Sequence, residues 1–159
     1  MTLLIREMRG GEAVAVAALV RGLADHIGSN VIPKLTGEGL LAARDLIDVV
    51  VAEDDGRILG ACLGLMTYST WRGARGLYVV DLFVSPEARN RSIGENLLRE
   101  AARRGSQRGA QFIKLEVDET NGGAERFYAR LGFKKKTGDR LHILEQDRLN
   151  HFIASGDGS

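Results

Sequence analysis

A single cysteine, Cys62, stands in 159 residues. No internal disulfide can form, which excludes a disulfide-stapled secreted scaffold. Proline occurs twice, at Pro33 and Pro86, so collagen-like and proline-rich architectures are excluded too. No run approaches the roughly 18 apolar residues of a membrane span, and the opening MTLLIREMRG lacks the apolar stretch of a signal peptide. An excess of one charge is also missing. Lys and Arg number 22 against 21 Asp and Glu, a net charge of +1, which gives no electrostatic footing for nucleic acid or a membrane surface. His26, His142 and His151 show no metal-ligand spacing, so no metal is expected. These absences predict a soluble protein of a reducing compartment, the cytoplasm, with neither nucleic acid nor membrane as partner.

What is present fits one ordinary domain. Apolar residues make up 44% and charged residues 27%, and a globule of this size buries roughly 68–70% of its unfolded surface without a staple. No repeat or low-complexity linker divides the chain, so the expectation is a single domain over residues 1–153 with a flexible tail over 154–159, ending in SGDGS. Residues 3–7 open as a short strand. Val16, Leu19, Val20, Leu23 and Ile27 have the spacing of an amphipathic helix closing near Gly28, and a second helix runs from about Thr36, its N-cap, to Asp45. DLIDVVVAE, the turn DDGR and ILGACLGLMTYST read as a hairpin. After the polar WRGARG comes LYVVDLFV, apolar enough to be a central strand covered on both faces.

Ser85-Pro86 ends that strand, and Ile93, Leu97, Leu98, Ala101 and Ala102 form the inner stripe of a helix ending near Gly105 or Gly109. QFIKLEVD is a further strand; Ala124, Phe127, Tyr128 and Leu131 mark a helix stopped by Gly132; FKKKTGDRLHILEQ reads as two closing strands around a Thr-Gly-Asp turn. The fold class is therefore α+β, a mixed, mostly antiparallel sheet of about six to seven strands with helices on both faces.

Chemistry concentrates between the buried strand and its helix, at Pro86-Glu87-Ala88-Arg89-Asn90-Arg91-Ser92-Ile93-Gly94. Backbone N–H groups at a helix start have no intrahelical acceptor, and the helix dipole favours negative charge there. Arg89, Arg91 and Arg99 crowd the same region, so a phosphate-bearing ligand is the natural guess, against the alternative of a solvated loop. The segment is neither a P-loop nor a dinucleotide-binding glycine pattern.

A second segment, Asn121-Gly122-Gly123-Ala124-Glu125-Arg126-Phe127-Tyr128-Ala129-Arg130-Leu131-Gly132-Phe133, completes a pattern. With the loop above it resembles the GNAT N-acetyltransferase superfamily, whose pyrophosphate loop reads Arg/Gln-x-x-Gly-x-Gly/Ala and whose later helix reads Asn-x-x-Ala-x-x-Phe-Tyr-x-x-Leu-Gly-Phe. The resemblance spans roughly Ile47 to Phe133. TYSTWRG followed by LYVVDLFV is most similar to the diamine (spermidine/spermine) and thialysine acetyltransferase branch.

The resemblance implies acetyl-CoA as co-substrate. Backbone amides of Arg89, Asn90, Arg91, Ser92, Ile93 and Gly94 would hold its pyrophosphate, and Leu82, Phe83 and Val84 would pair with the pantetheine arm as an added strand does. The buried strand and the one at Leu115–Asp118 would splay to admit the arm, Asn121 would hydrogen-bond near it, and Tyr128 would lie beside the sulfur. A homodimer is implied as well. The chemistry demands such groups. An amine with a pKa near about 10.4 must lose its proton before attacking the thioester, and the departing thiolate must be protonated or stabilised. A Tyr hydroxyl can supply that proton, amides can stabilise the tetrahedral intermediate, and no covalent enzyme intermediate is needed.

The sequence departs from the pattern at three places. Ser92 stands at the first motif glycine, where it either fits a helical conformation and adds a hydroxyl or weakens binding; Asn90 replaces a common glycine but tolerates left-handed backbone. Val80 stands where the diamine branch carries its Glu. Asp81 cannot simply take over, because neighbouring strand residues face opposite ways unless a bulge re-aims one. A carboxylate in so apolar a strand is either tied by hydrogen bonds or held with a raised pKa, and serves either structure or as base and substrate-binding group. Glu116, Asp118 and ordered water are further proton acceptors. The stretch Asp25 to Leu35 holds only one acid, so a smaller amine, an amino acid or a peptide N-terminus fits the acceptor better than a polycation.

Tyr68 and Trp71 either line the acceptor pocket, their rings suited to an ammonium, or serve the core or a dimer contact. Lys134 to Lys136 form a solvated strand or turn, or steer the acidic co-substrate, and Cys62 is a small buried apolar group. The expected function is acetyl transfer to a primary amine of a small molecule or peptide by direct attack, with Tyr128 as acid. Its rivals are a non-catalytic acyl-CoA-binding or regulatory module and a binder of another phosphorylated ligand.

Overall fold

Continuous apolar runs build the strands Asp48–Asp54 and Arg57–Ser69, buried on both faces, and the strands assemble in chain order. The computed structural model describes residues 2–26, 30–89 and 92–156. The chain divides into two compact units, Met1–Glu116 and Val117–Ser159. The first holds a five-stranded sheet ordered β1 (Leu3–Glu7), β2 (Asp48–Asp54), β3 (Arg57–Ser69), β4 (Ala74–Val84) and β5 (Ala110–Lys114). Neighbours from β1 to β4 are antiparallel, and only β4 and β5 run parallel. A parallel pair needs a long crossover, here helix α3 (Ile93–Gln107). The α+β class and the mixed, mostly antiparallel sheet are as the sequence predicts.

Helices α1 (Ala13–His26) and α2 (Gly37–Ala42) cover one face. Val16 and Val20 of α1 and Leu40 of α2 pack on Val49, Val51, Ala61, Leu63 and Phe83. Thr36 is the expected N-cap, its hydroxyl accepting from the Gly39 amide at 3.0 Å. Residues Ile27 and Gly28, where the sequence closes the first helix, lie outside the described residues. Helix α3 covers the other face: a Cβ on Gly60 would come within 3.1 Å of Leu97, and within 2.7 Å of the Phe83 carbonyl. Glycine is therefore what lets β3 approach the end of β4. Near its C-terminus α3 is locked to β2 by Arg104, which grips both oxygens of Asp48 at 2.7 Å.

The second unit contains α4 (Gly122–Arg130) and α5 (Gln146–Ser155). Two sequence expectations fail here. No strand forms over 133–145, so the described sheet has five strands rather than six to seven. The chain bends at Gly138, where φ is +106°, but Leu141, Ile143 and Leu144 stay exposed and unladdered. A lone hairpin is marginal in water without a third strand or a packed face, and among the described residues of this unit there is no strand to supply one. The helix α5 is an addition to the elements the sequence predicts; Leu149, Phe152 and Ile153 give it an i, i+3, i+4 stripe, and it runs on through Ala154 and Ser155, the first residues of the expected tail. No helix among the described residues is long and apolar enough to cross a membrane.

Candidate active site

The strand pair β4–β5 opens as it runs. Pairing stops at Tyr78 and Lys114, while β4 continues to Val84. Beyond that point Val79 to Val84 keep their ladder to β3 on one edge, and no strand among the described residues pairs with the other edge. Expected contributors Leu82, Phe83 and Val84 lie on this open stretch, whose outward N–H and C=O groups can take an extended arm as an added strand. The expected splay is thus present, but it begins earlier than the sequence implies, since β5 ends at Lys114 and not at Asp118.

A β-bulge sits in the same stretch. Leu63 faces Asp81 and Gly64 faces Val79, so Val80 is the extra residue. Without the bulge Asp81 would share the α3 face with Leu77 and Val79. With it, Asp81 joins Leu63 and Phe83 on the face that α1 and α2 cover, and Val80 is left 41% exposed. Asp81 is half-buried, and among the described residues it makes no hydrogen bond; burial pushes its carboxyl above the ordinary value. The hydrogen-bonded alternative for Asp81 therefore does not hold, and the raised pKa does. Cys62, pushed up to about 12 first by burial and then by the charges of Asp48 and Asp81, is an unreactive thiol.

Past Val84 the chain turns through Pro86–Ala88 into α3. Ala88 and Ile93 are buried and anchor the two sides of the turn. Ser92 takes a left-handed conformation, φ 58° and ψ 20°, and its side chain makes no cap. This corrects the helical conformation considered for it: the loop needs a left-handed residue to enter the helix, which is why glycine suits this position. The Ser92 carbonyl accepts the first helical bond, from Asn96 at 3.1 Å. The Ile93 and Gly94 amides have no acceptor among the described residues, so the helix start fits a diphosphate. Arg99 turns instead to Asn96, at 2.8 Å, and to Glu95, at 3.5 Å. Asn90 and Arg91 lie outside the described residues. Arg89 and Pro86, with Leu19 and Leu23 of α1 and Phe83 of β4, line a hollow of about 170 Å³ beside the open edge.

Ser92→Gly is expected to stabilise the fold by about 0.5–1 kcal/mol. Relief of a left-handed L-residue gives about 1–2 kcal/mol, and the extra freedom of glycine in the unfolded chain takes back about 0.5–1 kcal/mol. Urea unfolding measures the difference; a loss of stability would show that the Ser92 conformation is not strained.

In the second unit the long motif has a mechanical meaning. Asn121 caps α4, its Oδ1 accepting from the Ala124 amide at 3.1 Å. That leaves its NH2 group without a protein partner among the described residues. At the other end Phe133 N–H donates to the Tyr128 carbonyl and Gly132 N–H to the Ala129 carbonyl, both at 3.0 Å, with Gly132 at φ +99°. This is a Schellman ending, and its usual apolar contact is made by Phe133 on Tyr128, rings 5.4 Å apart. Phe127 meets the same ring edge-on at 5.1 Å. Tyr128 is thus held by packing on two sides.

Tyr68 and Trp71 stand at the β3–β4 turn, 65% and 96% exposed, at the end of β4 opposite to Leu82–Val84. Six residues of strand, about 20 Å, separate Arg75, the partner of Tyr68, from Asp81. Lys134, Lys135 and Lys136 are in open coil, Lys135 3.5 Å from Glu125. No three His, Cys, Asp or Glu side chains cluster to hold a metal ion among the described residues. One contact was not legible in the sequence: the Tyr78 hydroxyl donates to Glu116 Oε1 at 3.0 Å across the start of the splay.

Comparison with known proteins bears on the family and the fold. The Acetyltransferase (GNAT) family profile matches residues 32–133. A thialysine N-epsilon-acetyltransferase of Bos taurus is 30% identical over 146 residues, 84% of this chain and 85% of that one. The Sus scrofa enzyme of the same name is 30% identical over 148 residues, 86% of each. Among solved structures, an integron cassette protein from the mobile metagenome of V. cholerae superposes with a TM-score of 0.78 over 96% of this chain and 98% of that one, at 19% identity, a likeness of fold. With a matched profile over more than half its length and relatives of this similarity over most of it, the chain belongs to the GNAT acetyltransferase family.

Proposed function

We propose that the protein transfers the acetyl group of acetyl-CoA to a primary amine of a small molecule or peptide, one domain over residues 1–153 performing the reaction. The observation that carries this is the open edge of β4 leading into the start of α3, where the Ile93 and Gly94 amides have no acceptor among the described residues. Leu82, Phe83 and Val84 take the pantetheine arm, and Arg89, Asn90, Arg91, Ser92, Ile93 and Gly94 take the diphosphate. The NH2 group of Asn121 adds a donor to the arm.

Asp81 accepts the proton of the incoming ammonium; a half-buried carboxylate with a raised pKa is a better base than a solvated one. The neutral nitrogen then attacks the thioester carbonyl, the C–N bond forms and the C–S bond breaks. The Tyr128 hydroxyl delivers a proton to the departing sulfur, and the second proton, which the nitrogen sheds as the amide forms, returns through water to the tyrosinate. Thialysine is the first acceptor to test, because relatives similar over most of the chain bear its name.

Val80 favours a second reading, a module that binds acyl-CoA and does no chemistry. A panel of primary amines assayed for free CoA separates the two. Thiol release that depends on the amine is the expected result; tight acetyl-CoA binding with no release from any amine would establish the module instead, and competition by simple phosphate esters as strong as by CoA would remove both.

A further inference from the structure

Tyr78, Lys114 and Glu116 meet where β4 and β5 part. Tyr78 pairs with Leu65 on one side and Lys114 on the other, which puts it on the face covered by α1 and α2. Its hydroxyl donates to Glu116 Oε1 at 3.0 Å, and the Lys114 ammonium lies 5.4 Å from its ring centroid. The bulge brings Asp81 to the same face. Burial first, then the hydrogen bond and charge of Glu116 and the charge of Asp81, hold the Tyr78 phenol above its ordinary value, so it stays a donor. Glu116 Oε2 has no hydrogen-bond partner among the described residues.

We propose that Tyr78 is a positioning residue for the acceptor amine and acts through Glu116: its hydroxyl fixes one carboxylate oxygen, and the other receives an N–H of the incoming ammonium on the face that carries Asp81. The inference rests on the acetyltransferase reading above. Glu116 holds the cation; Asp81 takes its proton. A carboxylate on a free side chain loses rotamer entropy each time it binds a ligand, and the bond from Tyr78 removes that cost in advance. Lys114, over the ring, keeps the phenol seated without competing for Oε2.

A double-mutant cycle tests this, using as probe whichever of thialysine, lysine and an alanyl peptide the wild type acetylates fastest. Glu116→Gln is expected to raise the KM for the amine about tenfold or more, the worth of a hydrogen bond to a charged group. Tyr78→Phe, which keeps the ring, is expected to raise it several-fold, with the KM for acetyl-CoA and the melting temperature unchanged in both. The double variant should match Glu116→Gln alone, because Tyr78 has nothing left to position. Full multiplication of the two effects, a Glu116→Gln variant with unchanged amine KM, or an equal rise in the KM for acetyl-CoA would overturn the proposal while amine-dependent CoA release still upheld the enzymatic reading. A wild type that binds acetyl-CoA and acetylates none of the probes or the wider amine panel removes both.

Discussion

Tyr128→Phe is expected to lower kcat by about 10²-fold or more while acetyl-CoA binds within about twofold of the wild type. General acid catalysis contributes roughly 10²–10⁴-fold, and the variant removes only the hydroxyl. The ring keeps its edge-on contacts with Phe127 and Phe133. The Schellman ending of α4 uses the Tyr128 backbone carbonyl, not its side chain, so the helix end is untouched. Single-turnover kinetics should show the loss in the transfer step, and calorimetry the retained affinity. Should turnover be unchanged, Tyr128 is a packing residue and the thiolate leaves without its help. A parallel loss of affinity would instead mean that the hydroxyl binds the co-substrate in the ground state, which is a different use of the same group.

Features written in contiguous residues were legible. The hairpin of β2 and β3, the crossover through α3 and the capped, Schellman-ended α4 each carry local signals: two apolar runs around a turn, a stripe, an Asn before and a Gly after. What escaped depends on register or on distant pairing. The stretch Tyr78-Val79-Val80-Asp81 reads as uniform strand, and only the partner residues Leu63 and Gly64 reveal that Val80 is extra. That single residue decides which face Asp81 occupies. Tyr78 and Glu116 are 38 residues apart and meet only because β4 and β5 lie parallel and then part. Ser92 itself gives no cue to its left-handed backbone, since serine rarely adopts it and the loop geometry imposes it. Near the C-terminus the two-residue spacing of Leu141 and Ile143 suggests strands that do not form, whereas the i, i+3, i+4 stripe of Leu149, Phe152 and Ile153 is short and runs directly into the polar SGDGS.

The other large effect is expected from Asp81→Asn, in opposite directions on rate and stability. As base, Asp81 should contribute about 10²-fold or more to kcat/KM, and Asn cannot accept a proton. For stability the sign follows from the raised carboxyl. A group whose folded pKa exceeds its unfolded value binds more protons in the native state between those two values. Stability is then fully present below the unfolded carboxylate range and falls as pH rises through the folded pKa. Above that window the ionised Asp81 is a half-buried charge without a hydrogen bond among the described residues, a standing cost that the neutral, isosteric Asn removes. The variant should therefore unfold at higher denaturant than the wild type at neutral pH, with the advantage shrinking as pH falls through the window. A slower enzyme that is also harder to unfold is what a strained catalytic carboxylate leaves behind when it is neutralised. An Asn variant that is less stable at every pH would mean Asp81 is held by interactions of its own; unchanged kcat/KM would hand the proton to Glu116 or to water, and the bulge at Val80 would then serve only to turn the strand.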